Sequence, residues 1–260
     1  MRLCVLSALF AGVLNGQGIE RLDGQRLTPA AVDQIVEGRM RESRVTGLAL
    51  AVLNRNEIAY VKTYGMRDAA WAAPLRTDTV MYGASFTKSA FAFMVMQLVE
   101  EGTLDLDRPV GEYLPKPWAE YEKWKELGED PRAKLITART LLSHTSGFAN
   151  FRFLNPGEKL QMFFAPGERY AYSGEGINLL GFVVEHVTGI GVAELMRQRV
   201  FDRFEMKRTS MTWRDDFAEN LAVGHDEQGK GLGHSKRISA RALFGSLSPP
   251  RIHITFGNLP

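Results

Sequence analysis

The segment Tyr82-Gly83-Ala84-Ser85-Phe86-Thr87-Lys88 sets a serine, and three residues later a lysine, at the start of a run that reaches Glu101 without glycine or proline. At helical spacing the two side chains leave the same face one turn apart. A serine hydroxyl is a weak nucleophile until a neighbour takes its proton. A lysine amine does so when desolvation or a nearby cation lowers its pKa. The helix N-terminus adds partial positive charge and free backbone N–H groups where a tetrahedral oxyanion would form. Acyl transfer is the chemistry on offer, with Ser85 attacking a carbonyl, Lys88 taking its proton and the Ser85 N–H holding the oxyanion. Alone the pattern is weak, because a serine cap followed by an exposed lysine occurs by chance in many helices.

The elements that must position this pair are legible around it. Phe86, Phe91, Phe93, Met94, Val95, Met96, Leu98 and Val99 make the helix apolar around most of its circumference. That predicts burial on several sides, with Gly102 as the stop. Upstream, Thr28-Pro29 reads as a cap and first-turn proline, followed at helical spacing by Val32, Ile35, Val36 and Met40. The runs Gly47–Leu53 and Ile58–Tyr64 flank turn residues 54 to 57 and predict a hairpin. From Asp105 to Thr140 prolines and charges predict loops and short helices covering the site. Leu141-Leu142-Ser143-His144-Thr145-Ser146-Gly147-Phe148 reads as a short helix ending in a polar turn. Pro166-Gly167 then leads to Tyr172-Ser173-Gly174, just before a helix expected to begin near Gly176 and to end at Gly189.

With those three segments in view, the sequence resembles the family of class C β-lactamases, D-alanyl-D-alanine carboxypeptidases and related esterases, over roughly residues 25 to 245. The resemblance implies that Ser85 is the acylated serine and Lys88 its partner. It also implies that Tyr172 shares the base role, since a tyrosine opening a Tyr-Xaa-Asn motif does so in the family. Gly174 stands where that motif has asparagine, which weakens the case for β-lactam or peptide specificity and leaves ester hydrolysis untouched. The implied fold is α+β, β-lactamase/transpeptidase-like: an antiparallel sheet flanked by helices, fed by residues before about Val80, plus a mostly helical region from Ser85 onward. The site is expected in the crevice between them. A third motif, Lys or His, then Thr or Ser, then Gly, is also implied. Gly233-His234-Ser235-Lys236 lacks its glycine, and the stretch from Ser248 to Pro260 reads as an unrelated ending. The C-terminal strands, and the second oxyanion donor they carry in the family, are therefore expected to be missing. The implied activity is a serine hydrolase working through an acyl-enzyme on a β-lactam, D-Ala peptide or small ester. A catalytically inactive relative that binds cell-wall peptide or a partner is the alternative.

His144 invites a triad with Ser85, yet Lys88 and Tyr172 already supply bases, so a hydrogen-bonding role in its loop is expected. His186, His225, His234 and His253 show no metal-ligand spacing, and no cofactor is implied. The 32 basic and 30 acidic residues leave a net charge of +2, scattered rather than striped, which argues against nucleic acid as a partner. The expected partner is a small-molecule or peptide substrate. Met1-Arg2 followed by an apolar stretch to Leu14 reads as a signal peptide over residues 1–18, ahead of a hydrolase domain over 19–260. The product would be periplasmic or secreted, with no stable membrane anchor once the signal is removed. Cys4, the chain's one cysteine, lies inside that run.

Overall fold

The computed structural model describes residues 18–232 and the backbone of His253–Ile254. Residues 1–17 of the expected signal peptide and Gly233-His234-Ser235-Lys236 lie outside the described residues. The chain forms two compact units, the first comprising residues up to Thr77 with His225–Lys230, the second Asp78–Gly224 with the residues from Gly231 on.

In the first unit, β1 (Ile19–Glu20) and β2 (Arg26–Leu27) pair antiparallel ahead of α1 (Pro29–Glu42). Thr28 caps α1 by accepting from the Ala31 N–H at 3.2 Å, as its sequence predicts. Val32 and Met40 are buried, whereas Ile35 is exposed, so the apolar stripe is narrower than the spacing suggests. The hairpin is β3 (Gly47–Asn54) with β4 (Glu57–Asp68), and β5 (Ala73–Pro74) lies on the other side of β4. The ladder runs to the pair Asn54 and Glu57, leaving a two-residue loop rather than four turn residues. Arg55 and Asn56 both have positive φ, 52° and 65°, the conformation a type I′ turn needs to match strand twist. Gly65 is required where the strands approach: its φ is +70°, and a Cβ there would sit 2.1 Å from the Thr46 carbonyl oxygen.

The second unit holds β6 (Met81–Tyr82), α2 (Phe86–Glu100), α3 (Ala138–Leu142), α4 (Gly174–Thr188) and α5 (Val192–Met196), which runs on into a π-turn over Arg197–Phe201. Its core gathers Phe91, Met94, Val95 and Leu98 of α2 with Leu141 of α3 and Ile177, Leu180, Val183 and Val184 of α4. Burying a Leu or Phe side chain stabilises by about 1.5–3 kcal/mol, so this one face of α2 fixes its place. The expectation of burial on several sides is corrected: Phe86, Phe93 and Met96 are exposed. Residues 110–136 are short 3₁₀ turns, as predicted. They contribute Val110, Trp124, Leu127 and Ala133 to the core. β7 (His253–Ile254) pairs antiparallel with β6, a strand too short for periodicity to reveal in a stretch read as an unrelated ending.

Candidate active site

The turn ahead of α2 is what aims Ser85. Ala84 has φ 42°, a left-handed conformation that costs a non-glycine residue free energy and persists where surrounding bonds over-determine it. Those bonds are present: the Phe86 N–H donates to the Gly83 carbonyl at 2.9 Å, the Thr87 N–H to that of Ala84 at 3.2 Å, and the buried Thr87 hydroxyl donates to the same Ala84 oxygen. Ser85 occupies the cap position of α2, but its side chain makes no capping bond. The hydroxyl is thereby free for other partners. Lys88 Nζ donates to Ser85 Oγ at 3.1 Å, and the Tyr172 hydroxyl donates to the same oxygen at 2.7 Å. Lys88 Nζ also lies 5.0 Å from the Tyr172 ring centroid, so serine, lysine and tyrosine are mutually in contact. The structure thus brings together all three residues singled out from the sequence, and all three belong to the second unit.

Lys88 and Tyr172 both donate to the one serine oxygen, so whichever of them takes the Ser85 proton must first give up its own. Partial burial alone would raise the Tyr172 phenol. Hydrogen bonding with Lys88 and Ser85, together with the lysine charge, outweighs burial and holds it below the ordinary tyrosine range. Ser85 is exposed and Lys88 half-buried, so a carbonyl can approach the hydroxyl from solvent. The Ser85 N–H precedes the helix ladder and has no acceptor among the described residues.

Tyr172 is held from the segment that follows α3. The Ala171 N–H donates to the His144 carbonyl at 2.8 Å and the Ser173 N–H to His144 Nδ1 at 3.2 Å. Ser173 then caps α4 by accepting from the Gly176 N–H at 2.9 Å, while its own hydroxyl donates to the Ala149 carbonyl at 2.9 Å. Asn150 accepts from the Gly174 N–H through both its backbone and its side-chain oxygen, and from the Glu175 N–H through its backbone. Sequence reasoning did not single out Asn150. Nor did it find the buried Glu175, which binds the Arg152 guanidinium at 2.9 Å and its backbone N–H at 3.2 Å. These partners lie 23 to 25 residues apart, and no local pattern marks such a pairing. Among the described residues no group of three His, Cys, Asp or Glu side chains is placed to hold a metal ion.

A family model described as Beta-lactamase matches residues 32–245. Among curated relatives, the esterase EstB of Burkholderia gladioli is 32% identical over 186 residues, covering 62% of this chain and 45% of the relative. The lovastatin esterase of Penicillium rubens is 30% identical over 202 residues, covering 66% of this chain and 50% of the relative. The chain therefore spans about half the length of these relatives. A solved structure described as D-alanine carboxypeptidase AmpC from Burkholderia cenocepacia superposes with a TM-score of 0.68 at 23% identity, over 86% of this chain and 60% of that one. Its β-lactamase/transpeptidase fold is the fold of this chain.

Proposed function

We propose, since this chain belongs to the beta-lactamase family, that it is a serine hydrolase in which Ser85 is acylated and Lys88 and Tyr172 share its proton. The observation that carries the reading is the pair of hydrogen bonds converging on Ser85 Oγ. In the attack, one of Tyr172 and Lys88 is in its deprotonated form; the Ser85 oxygen forms a bond to the substrate carbonyl carbon as its proton passes to that group, and the carbonyl oxygen takes negative charge near the Ser85 N–H. Collapse of the tetrahedral adduct expels the alcohol or amine, which leaves with a proton from the same pair; water then repeats the sequence on the acyl-serine. Small esters are the substrate class best supported. Two of the relatives above are esterases, and Gly174 offers no side-chain amide for a substrate amide. Fluorophosphonate or p-nitrophenyl acetate should give a mass adduct on Ser85, and Ser85→Ala should lose both the adduct and the turnover. An adduct retained by Ser85→Ala removes this assignment, and an unlabelled wild-type chain favours a non-catalytic binding role.

Export is part of the same proposal, supported by the charged start and short apolar run of residues 1–14. Expression in a bacterial host should yield a mature chain beginning between Asn15 and Arg26. Soluble cytoplasmic protein that retains Met1 would contradict it.

A further inference from the structure

His144 touches the loop of Tyr172 at three points. Its carbonyl accepts from the Ala171 N–H at 2.8 Å and its Nδ1 accepts from the Ser173 N–H at 3.2 Å, so the residues on either side of Tyr172 hang from the same histidine. Its ring lies 4.5 Å from the Tyr172 ring, tilted by 41°, and meets Tyr170 edge-on at 6.0 Å. The backbone of His144 is itself left-handed, with φ 57°, directly after α3. That conformation is what allows carbonyl and imidazole to face the same short strand of chain. A backbone N–H can only donate, so Nδ1 must carry the lone pair and the ring proton must sit on Nε2. Protonating the ring would turn Nδ1 into a second donor against Ser173 N–H and break the bond.

We infer that His144, as the neutral Nε2–H tautomer, is the positioning residue for Tyr172 and that its protonation sets the acid limit of the reaction at Ser85. The inference rests on the serine-hydrolase reading above and goes beyond it by assigning the pH dependence to a residue that does not touch Ser85. Among the described residues, the charged and titratable groups facing the ring are Lys88 from α2 and Tyr170 and Tyr172 from the segment before α4. Burial, and then the Lys88 charge, disfavour imidazolium, and the ring is held below the ordinary histidine range. The folded protein thus favours the neutral ring. Its contribution is present above the ordinary histidine pKa and is lost as pH falls through the lowered one.

The test uses the 260-residue chain and two variants. Asparagine at 144 tolerates a left-handed backbone and keeps an acceptor oxygen near the place of Nδ1, but it does not titrate. His144→Asn should keep acylation by p-nitrophenyl acetate within about threefold at neutral pH and lose the acid limb of the wild-type profile. His144→Ala should lower kcat by about 10- to 10²-fold with little change in KM, the scale of a misplaced catalytic group. Equal loss in both variants, or an unchanged acid limb in His144→Asn, overturns the inference. Imidazole ¹⁵N spectra give a readout independent of activity: Nδ1 should show the shift of an unprotonated nitrogen and Nε2 that of a protonated one. The opposite tautomer overturns the inference even in an active enzyme. The expected tautomer in a chain where Ser85 is never acylated would instead indict the hydrolase reading and leave the clamp standing.

Discussion

Lysine and tyrosine side chains meet around Asp33 in the first unit and around Ser85 in the second. In the first, Lys62 Nζ donates to Asp33 Oδ2 at 2.7 Å, Tyr64 donates to Oδ1 at 2.8 Å, and Tyr60 donates to the same oxygen while its hydroxyl lies 2.9 Å from that of Tyr64. Residues 60, 62 and 64 share one face of β4, so the cluster ties α1 to the sheet. Hydrogen bonds from Lys62 and then from the two tyrosines hold the Asp33 carboxyl at about 2. Burial, reinforced by the carboxylate, pushes both phenols up, and the bond to Asp33 pushes Lys62 up. Every proton in that cluster is fastened. Around Ser85 the same two side-chain types meet a neutral hydroxyl, and the Tyr172 phenol shifts down instead. A carboxylate makes lysine and tyrosine structural; a hydroxyl in its place leaves them able to exchange protons.

The largest effect should come from breaking the second cluster. Lys88→Ala and Tyr172→Phe should each slow acylation of Ser85 by about 10²-fold or more, read as a single-turnover rate, with substrate affinity changed less. Lys88→Arg should not restore the rate, because a guanidinium keeps its proton at neutral pH. Near-wild-type acylation in Tyr172→Phe would make the phenol a structural hydrogen-bonding group like that of Tyr60.

A smaller and different effect is expected in the first cluster. Asp33→Asn should lower the urea midpoint at neutral pH without changing the acylation rate of the folded protein. The Asp33 carboxyl falls from the ordinary 3.8 to about 2 on folding, so its stabilisation is full above pH about 4 and is lost as pH falls toward about 2. The midpoint difference between wild type and Asp33→Asn should shrink over that interval. A difference independent of pH would mean that the tyrosines, and not the charge, hold α1 to the sheet.

Comparing α1 with α2 separates what was legible from what was not. Both begin with a hydroxyl residue at the cap position, and the structure decides which hydroxyl makes the capping bond. Thr28 caps its helix, whereas Ser85 does not, and turns to residues on its own helix and on the loop 87 positions away. The hairpin, the glycine stops at Gly102 and Gly189 and the helix after Ser173 were legible because each depends on neighbours in sequence. The exposed side of α2 was not, because an apolar pattern states which faces can be buried and not which ones find a partner.

The sequence by itself determined the pairing of Ser85 with Lys88, since one helical turn fixes it. Their resemblance to a known family then pointed to Tyr172. Tertiary structure alone decided that Tyr172 reaches the serine, and that His144 and Asn150 hold its loop on either side. The reason is physical: a backbone N–H donates to whichever oxygen or nitrogen the fold delivers to it, and the delivering residues here lie more than twenty positions away.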